Sequence, residues 1–221
     1  MHTPTQSRSS ALIAAAGQGR RLGLGPKAFL TLGGRSLVEI VASKLLEVTD
    51  EVVVAAPPGQ RRHAMRLLPE EVRIIDGGTD RQSTLIRLTD AAEGDLLLFH
   101  FVARPFATLE LHRAVLAAAQ RSGAASACMD PGAPIGMENA GVLRLPGSSP
   151  DPRILQTPRA LRRDRLVSPE GVAPHGERID ICTSPGMPLI AIPGEECNIK
   201  ITSPLDWEIA QRIIAPRMGL C

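Results

Sequence analysis

Short runs of consecutive apolar residues recur along the chain and are separated by polar or glycine-rich turns. Such runs are typical of strands that are buried on both faces of a sheet. On this pattern we predict strands at residues 11–16, 51–56, 72–75, 95–101, 124–129 and 188–192.

Between these runs, apolar residues recur every three or four positions, as in Leu37, Ile40 and Val41. This spacing places them on one face of a helix. We predict helices at residues 37–46, 59–68, 83–92, 108–119 and 204–214. The alternation of strands and helices indicates an α/β fold with a mostly parallel sheet that is covered on both faces.

Residues 130–158 interrupt this alternation. Proline and glycine are frequent in this segment and surround a short apolar patch at residues 141–145. We predict either an irregular excursion or a β-hairpin arm. A chain of 221 residues fits one domain with such an arm, so residues 1–221 are expected to form a single domain.

Composition restricts the class of partner. The 25 basic residues are offset by 23 acidic ones, so no nucleic-acid surface is indicated. Apolar runs stay shorter than the ~18 residues of a membrane helix, and the polar N-terminus lacks a secretory core. The four cysteines lack metal-site spacing. We therefore expect a cytoplasmic protein with reduced thiols and with no membrane, nucleic-acid or cysteine-bound metal partner.

The first predicted strand leads into a glycine-rich loop that contains Gly17, Gly19, Arg20 and Arg21, and Lys27 follows shortly after it. Glycines allow backbone N–H groups to approach an anion closely. Arginine and lysine bind phosphate oxygens, and their combination with the glycines is more specific than either part. The segment therefore predicts a polyphosphate site.

Two other interpretations of this loop stay open. It could be a plain turn between a strand and a helix. It could also be a dinucleotide fingerprint, but the third glycine comes one position late, and the second predicted strand ends in Ala55, Ala56 and Pro57 rather than in an acid. The dinucleotide interpretation is therefore the weaker one.

Several segments in order carry a family resemblance. They lie at residues 15–21, 26–30, 77–84, 100–106, 156–158 and 198–202. In this order they resemble the methylerythritol phosphate cytidylyltransferases of isoprenoid biosynthesis and the similar ribitol phosphate cytidylyltransferases. The resemblance implies a Rossmann-like three-layer sandwich with a protruding β-arm at residues 130–158 that builds a homodimer. It also implies transfer of CMP from CTP onto a small phosphorylated alcohol, with release of pyrophosphate.

The resemblance further implies roles for individual residues. The residues expected to stabilise the transition state are Arg21 and Lys27, and Lys200 is expected to hold the acceptor phosphate beside the α-phosphorus. The residues expected to bind the nucleotide are Ala15, Ala16, Gly17, Gly19, Gly78, Thr84, Ala103 and Arg104. The residues expected near the acceptor are Lys200, Thr157 and Glu177. Mg²⁺ is expected to be held mainly by the phosphates of CTP, without a dedicated protein ligand.

Three departures from the family pattern lie on the metal and acceptor side. Phe101 occupies the position of an acid that follows His100 in the pattern. The Asp-Thr-Ile/Met-Lys motif has no counterpart in residues 130–138. A Thr-Asp pair is replaced by residues 176–178, where Glu177 or the later Asp180 could supply the acid. Asp80 is a further candidate acid for the metal.

These departures leave two hypotheses about function. In the first, the protein is an active cytidylyltransferase that acts on methylerythritol phosphate or a related polyol phosphate. In the second, it is a catalytically impaired homologue that binds nucleotide and has a regulatory or interaction role. Loss of a carboxylate beside the metal is an argument for the second, because such groups stabilise charge in the transition state. The first hypothesis is nevertheless our main interpretation.

Overall fold

The computed structural model describes residues 7–140, 142–144, 152–166 and 188–220. A seven-stranded sheet forms its centre, with the strand order β11-β7-β10-β6-β1-β4-β5. The strands are β1 Ser9–Ala14, β2 Thr31–Leu32, β3 Arg35–Ser36, β4 Glu51–Ala56, β5 Val72–Asp76, β6 Leu96–Phe101, β7 Ala124–Met129, β8 Met137–Asn139, β9 Val142–Arg144, β10 Ile154–Arg162 and β11 Ile190–Pro193.

Strand β1 lies inside the sheet and is parallel to both of its neighbours. Ile13 pairs with Val54 of β4 on one side and with His100 of β6 on the other. Strands β4 and β5 are also parallel, as are β7 and β11. Strand β10 is the exception, because it runs antiparallel between β6 and β7.

Helices cover both faces of the sheet, and successive residues of a strand point to opposite layers. The helices are α1 Leu37–Leu46, α2 Arg61–Leu67, α3 Arg81–Ala91, α4 Leu109–Ser122, α5 Pro204–Ile209 and α6 Ala215–Arg217. Ile13 packs in the larger core with α1, α2, α4 and the C-terminal helices, whereas Leu12 packs in the smaller core with α3. Coverage of both faces explains why these strands are continuously apolar.

The sequence contains the signals that begin and end these helices. Ser36 and Glu39 form a capping box at the start of α1, and Thr108 caps α4 through the backbone N–H of Leu111. Gly123 ends α4 in the left-handed region, with φ of 96°. A π-helical segment, Ala210–Ile214, joins α5 to α6.

The predicted elements correspond closely to the observed ones, but the short strands β2 and β3 and the long strand β10 were not predicted. The predictions for α1, β4 and β7 match their observed bounds, and the other predicted elements are displaced by a few residues at their ends. The sequence pattern did not indicate β10, and residues 154–158 were expected to belong to the excursion. These residues begin a strand of the central sheet.

Part of the predicted excursion is a small hairpin. Strands β8 and β9 pair antiparallel, with Glu138 opposite Leu143. Among the described residues, no helix is long and apolar enough to cross a membrane.

Candidate nucleotide and acceptor site

A cleft of about 430 Å³ lies at the carboxyl ends of β1 and β6, next to the start of α3. Ligands of open parallel sheets bind at this edge, because the loops that follow the strands meet there. The predicted site residues that line the cleft are Ala16, Gly17, Gly19, Arg21, Lys27, Gly78, Thr84, Ala103 and Lys200.

The glycine loop after β1 needs at least one of its glycines for steric reasons. Gly19 has φ of 67°, and a Cβ atom placed there would lie 2.0 Å from the carbonyl oxygen of Gly25. The Gly19 carbonyl in turn accepts hydrogen bonds from the backbone N–H groups of Leu22 and Gly23. The loop therefore closes tightly and keeps its backbone against the cleft.

The loop between β5 and α3 forms the opposite wall. The Gly78 N–H donates to Thr84 Oγ1 at 3.0 Å, and that hydroxyl donates to the Asp80 carbonyl at 2.7 Å. A Cβ atom on Gly78 would lie 2.1 Å from Ser83 Oγ. The Thr84 hydroxyl therefore stabilises the conformation of this loop. Its role in recognising the base stays a prediction.

The side chain of Lys27 is held by a residue that lies far from it in the sequence. Its Nζ donates to the carbonyl oxygen of Ile201 at 2.7 Å. Burial, followed by the neighbouring charge of Arg21, lowers the pKa of Lys27, and the carboxylate of Asp206 opposes this effect. The ammonium of Lys27 therefore lies near the guanidinium of Arg21, and the two cations could bind the same phosphate.

Lys200 lies on a segment that β10 and the loop after β6 hold in place. The side chain of buried Asn198 donates to Gln156 Oε1 at 3.1 Å and to the Thr157 carbonyl at 2.9 Å. The Ile201 N–H donates to the Ala103 carbonyl at 2.8 Å. The three late motifs, which are far apart in sequence, thus meet at one edge of the cleft.

The environment of Lys200 is strongly cationic. Burial, followed by charge repulsion from Arg81, Arg104, Lys27 and Arg21, lowers the pKa of Lys200 to about 8. An anion that enters the cleft would relieve this repulsion. The electrostatics therefore favour a phosphorylated ligand over a neutral one.

Other predicted site residues lie behind the cleft rather than along it. Ala15 is buried, and its N–H donates to the Ala55 carbonyl. Arg104 donates to the Asn198 carbonyl, and burial lowers the pKa of Arg104 to about 10. Buried Thr157 accepts a hydrogen bond from the Phe101 N–H at 3.4 Å. Glu177 lies outside the described residues.

The cleft offers few ligands for a metal ion. Asp80 is the one carboxylate among the described residues that line it, and its Oδ1 accepts from the Ser83 N–H at 2.8 Å. The described part of the chain contains no cluster of three or more His, Cys, Asp or Glu side chains that could hold a metal. A divalent ion here would therefore depend on ligand phosphates, with Asp80 as the available protein oxygen donor.

Two residues that shape the cleft, Arg81 and Phe101, had no role predicted from the sequence. The Arg81 guanidinium carbon lies 4.5 Å from the centroid of the Phe101 ring, and Lys200 Nζ lies 5.1 Å from it. Arg81 belongs to the segment that carries the resemblance at residues 77–84, so its place there could have identified it as a site residue. The packing of two cations on Phe101 had no signal in the sequence.

A glycine loop, converging cations and a mostly parallel α/β sheet are the features of a nucleotidyltransferase. The comparisons with known proteins give the family. Residues 10–216 match the family described as 2-C-methyl-D-erythritol 4-phosphate cytidylyltransferase. The chain belongs to this family, which is a family of nucleotidyltransferases.

Individual relatives agree with this assignment. The 2-C-methyl-D-erythritol 4-phosphate cytidylyltransferase of Thermus thermophilus is 35% identical over 212 residues, which cover 92% of this chain and 96% of the relative. The enzyme of the same name from Deinococcus radiodurans is 34% identical over 226 residues, which cover 96% of this chain and 91% of the relative.

Solved structures support the fold. The crystal structure of the Thermus thermophilus enzyme has a TM-score of 0.72 and 31% identity, and the match covers 95% of this chain and 99% of that one. The 4-diphosphocytidyl-2C-methyl-D-erythritol synthase structure from Anaerococcus prevotii has a TM-score of 0.79 at 21% identity, covering 93% and 95%, and supports the fold alone. The predicted Rossmann-like sandwich and the cytidylyltransferase interpretation are confirmed.

Proposed function

We propose that this protein transfers CMP from CTP onto 2-C-methyl-D-erythritol 4-phosphate or a closely related polyol phosphate. A phosphate oxygen of the acceptor forms a bond to the α-phosphorus of CTP. The bond from that phosphorus to the bridging oxygen breaks, and pyrophosphate leaves with the electron pair. The observation that carries the proposal is the convergence of Arg21, Lys27 and Lys200 on one cleft beside the glycine loop.

Catalysis in this reaction depends on position and charge rather than on a covalent intermediate. Arg21 and Lys27 would stabilise the negative charge that develops around the α-phosphorus. Lys200, on the opposite edge, would hold the acceptor phosphate in line. The N–H groups of the glycine loop would bind the triphosphate, and Gly78 and Thr84 would help to read the cytosine base.

We further propose Mg²⁺ as the divalent ion, held by the CTP phosphates with Asp80 as the nearest available acid. The ion would neutralise charge on the phosphates and on the departing pyrophosphate. The support for weak protein ligation is that Asp80 is already held by Ser83 as the cap of α3.

The acceptor panel is the decisive experiment. Purified protein with CTP and Mg²⁺ is expected to release pyrophosphate with methylerythritol phosphate, and less with other polyol phosphates. UTP in place of CTP tests base selectivity. If calorimetry shows CTP binding but no acceptor supports pyrophosphate release, the transferase function is wrong and the impaired homologue is the correct hypothesis.

We also propose a homodimer built by residues 130–158, in a cytoplasmic protein. The support is that Val142 of the hairpin and Ile154 and Leu155 at the start of β10 are exposed apolar residues. Light scattering coupled to gel filtration is expected to give twice the mass of one chain. Ile154→Asp with Leu155→Asp is expected to give the monomer mass.

A further inference from the structure

The Phe101 ring lies close to two of the cations of the cleft. The Arg81 guanidinium carbon and Lys200 Nζ lie 4.5 Å and 5.1 Å from the ring centroid. Both distances are within the range of cation–π attraction, about 6 Å from the centroid. Phe101, Arg81 and Lys200 all line the same cleft, so these contacts are part of the site and not of the core behind it.

We propose that Phe101 is a positioning residue whose ring face holds the cationic groups of Lys200 and Arg81 toward the acceptor phosphate. This inference rests on the proposed function for the identity of the acceptor. The contact itself does not depend on it.

A neutral ring is suited to this task for an electrostatic reason. Lys200 is repelled by Arg81, Arg104, Lys27 and Arg21, and in the absence of an attraction its long side chain would move toward solvent. A carboxylate at position 101 would attract these cations, but it would also compete with the incoming phosphate for them. The ring attracts them through its quadrupole and adds no negative charge that repels the phosphate.

The backbone around Phe101 is rigid enough to support this task. Phe101 ends β6 and pairs with Ala14 at the end of β1. Its N–H donates to Thr157 Oγ1, and Thr157 also accepts from Asn198 through its carbonyl. Since Asn198 belongs to the segment that carries Lys200, the ring and the lysine are fixed to the same scaffold.

A spectroscopic experiment tests the contact without requiring turnover. The chain has three lysines, Lys27, Lys44 and Lys200, so lysine labelled with ¹³C at Cε gives a small and assignable set of signals. A Lys200 side chain over the ring face is expected to show an upfield ring-current shift of its ε-protons. This shift is expected to disappear in Phe101→Leu and to persist in Phe101→Tyr.

Titration of the same signals gives a second and directional readout. The ring stabilises the ammonium form, so Phe101→Leu is expected to lower the pKa of Lys200 by about half a pH unit. Phe101→Asp is expected to raise it, because a carboxylate also stabilises the ammonium. A purely structural role for Phe101 would not give opposite directions in these two variants.

Kinetics then test the consequence for the acceptor. Phe101→Leu is expected to raise the KM for the acceptor about 5- to 20-fold, with a smaller change in the KM for CTP. Phe101→Tyr is expected to recover most of that loss. The matched control is Phe99→Leu, which makes the same change two residues earlier on β6, in the smaller core, and is expected to lower stability without this selective effect.

The outcomes separate this proposal from the proposed function. An absent ring-current shift, or a pKa of Lys200 that is not lowered in Phe101→Leu, overturns the positioning role even if the protein is active. An acceptor KM that is equal in Phe101→Leu and wild type overturns it as well. The expected spectra together with no pyrophosphate release from wild type would refute the transferase function alone.

Discussion

Lys27 shows how the environment of a single residue determines its chemistry. A lysine on a loop is ordinarily a surface residue, but Lys27 is partly buried and bonded to the Ile201 carbonyl, next to Arg21. The sequence identified Lys27 through its distance from the glycine loop. It did not show that residue 201, far along the chain, would fix the side chain in place.

Substitution of Lys27 tests its assignment to the transition state. Lys27→Ala and Arg21→Ala are each expected to lower kcat by about 10²- to 10³-fold, as loss of one preorganised charge contact does. Thermal melts followed by circular dichroism should show a retained fold. Arg20→Ala is the matched comparison, since Arg20 also lines the cleft. A larger loss of kcat in Arg20→Ala than in Arg21→Ala would show that Arg20, and not Arg21, stabilises the transition state.

Lys200 is expected to make the reaction sensitive to alkaline pH. Its pKa is lowered to about 8, and only the ammonium form holds a phosphate by charge. The value of kcat/KM for the acceptor is therefore expected to fall as pH rises through about 8. Lys200→Arg, whose guanidinium stays charged, is expected to lose this limb of the pH profile. An unchanged limb in that variant would show that another group titrates.

At the scale of secondary-structure elements, β6 and α4 are joined by two buried histidines. The rings of His100 and His112 lie 4.9 Å apart. His100 Nε2 donates to the Arg104 carbonyl at 2.9 Å, and His112 Nδ1 donates to the Thr108 carbonyl at 2.5 Å. The second nitrogen of each ring is buried without a partner among the described residues. Both rings are thus neutral in the folded protein.

This pair predicts a loss of stability in mild acid. Burial lowers the pKa of His112 to about 4 and that of His100 well below its usual 6.5. The unfolded chain therefore binds more protons between about pH 4 and 6.5, and the free energy of unfolding falls as pH drops through this range. Each histidine contributes a slope of at most about 1.4 kcal/mol per pH unit.

Urea denaturation in steps from neutral to mildly acidic pH measures this slope. His112→Gln is expected to reduce it, because glutamine does not titrate. The carboxylates Asp50, Asp80 and Asp206, whose pKa values are lowered, have most of their effect below their ordinary pKa of 3.8. A slope in His112→Gln equal to that of wild type would show that His112 is not the group responsible.

Elements differ in how well local sequence predicted them. Helix α1 was predicted within its bounds, because its apolar residues have helical spacing. Strand β10 was missed, because Pro158 lies within it and the preceding segment is rich in turn residues. Its place between β6 and β7 depends on pairing with distant strands, which no local pattern reports.

At the scale of the whole molecule, nucleotide binding is expected to stabilise the fold. A ligand at one hundred times its Kd raises the free energy of unfolding by about 2.7 kcal/mol. CTP with Mg²⁺ is therefore expected to raise the melting temperature of the protein, and Arg21→Ala is expected to weaken this effect. NAD⁺ serves as the control, because the dinucleotide interpretation predicts stabilisation by it. Stabilisation by NAD⁺ and none by CTP would contradict the proposed site.

The sequence by itself determined the fold class, the glycine loop and the ordered segments that identify the family. These are local features, since periodicity, glycines and short motifs depend on neighbouring residues. Only the tertiary structure decided that Lys27 forms a hydrogen bond with the Ile201 carbonyl and that Asn198 forms one with the Thr157 carbonyl. It also decided that Phe101 lies beside Arg81 and Lys200. Most of these contacts join residues that are far apart in the chain. Their geometry follows from strand order and packing, which the sequence pattern does not contain.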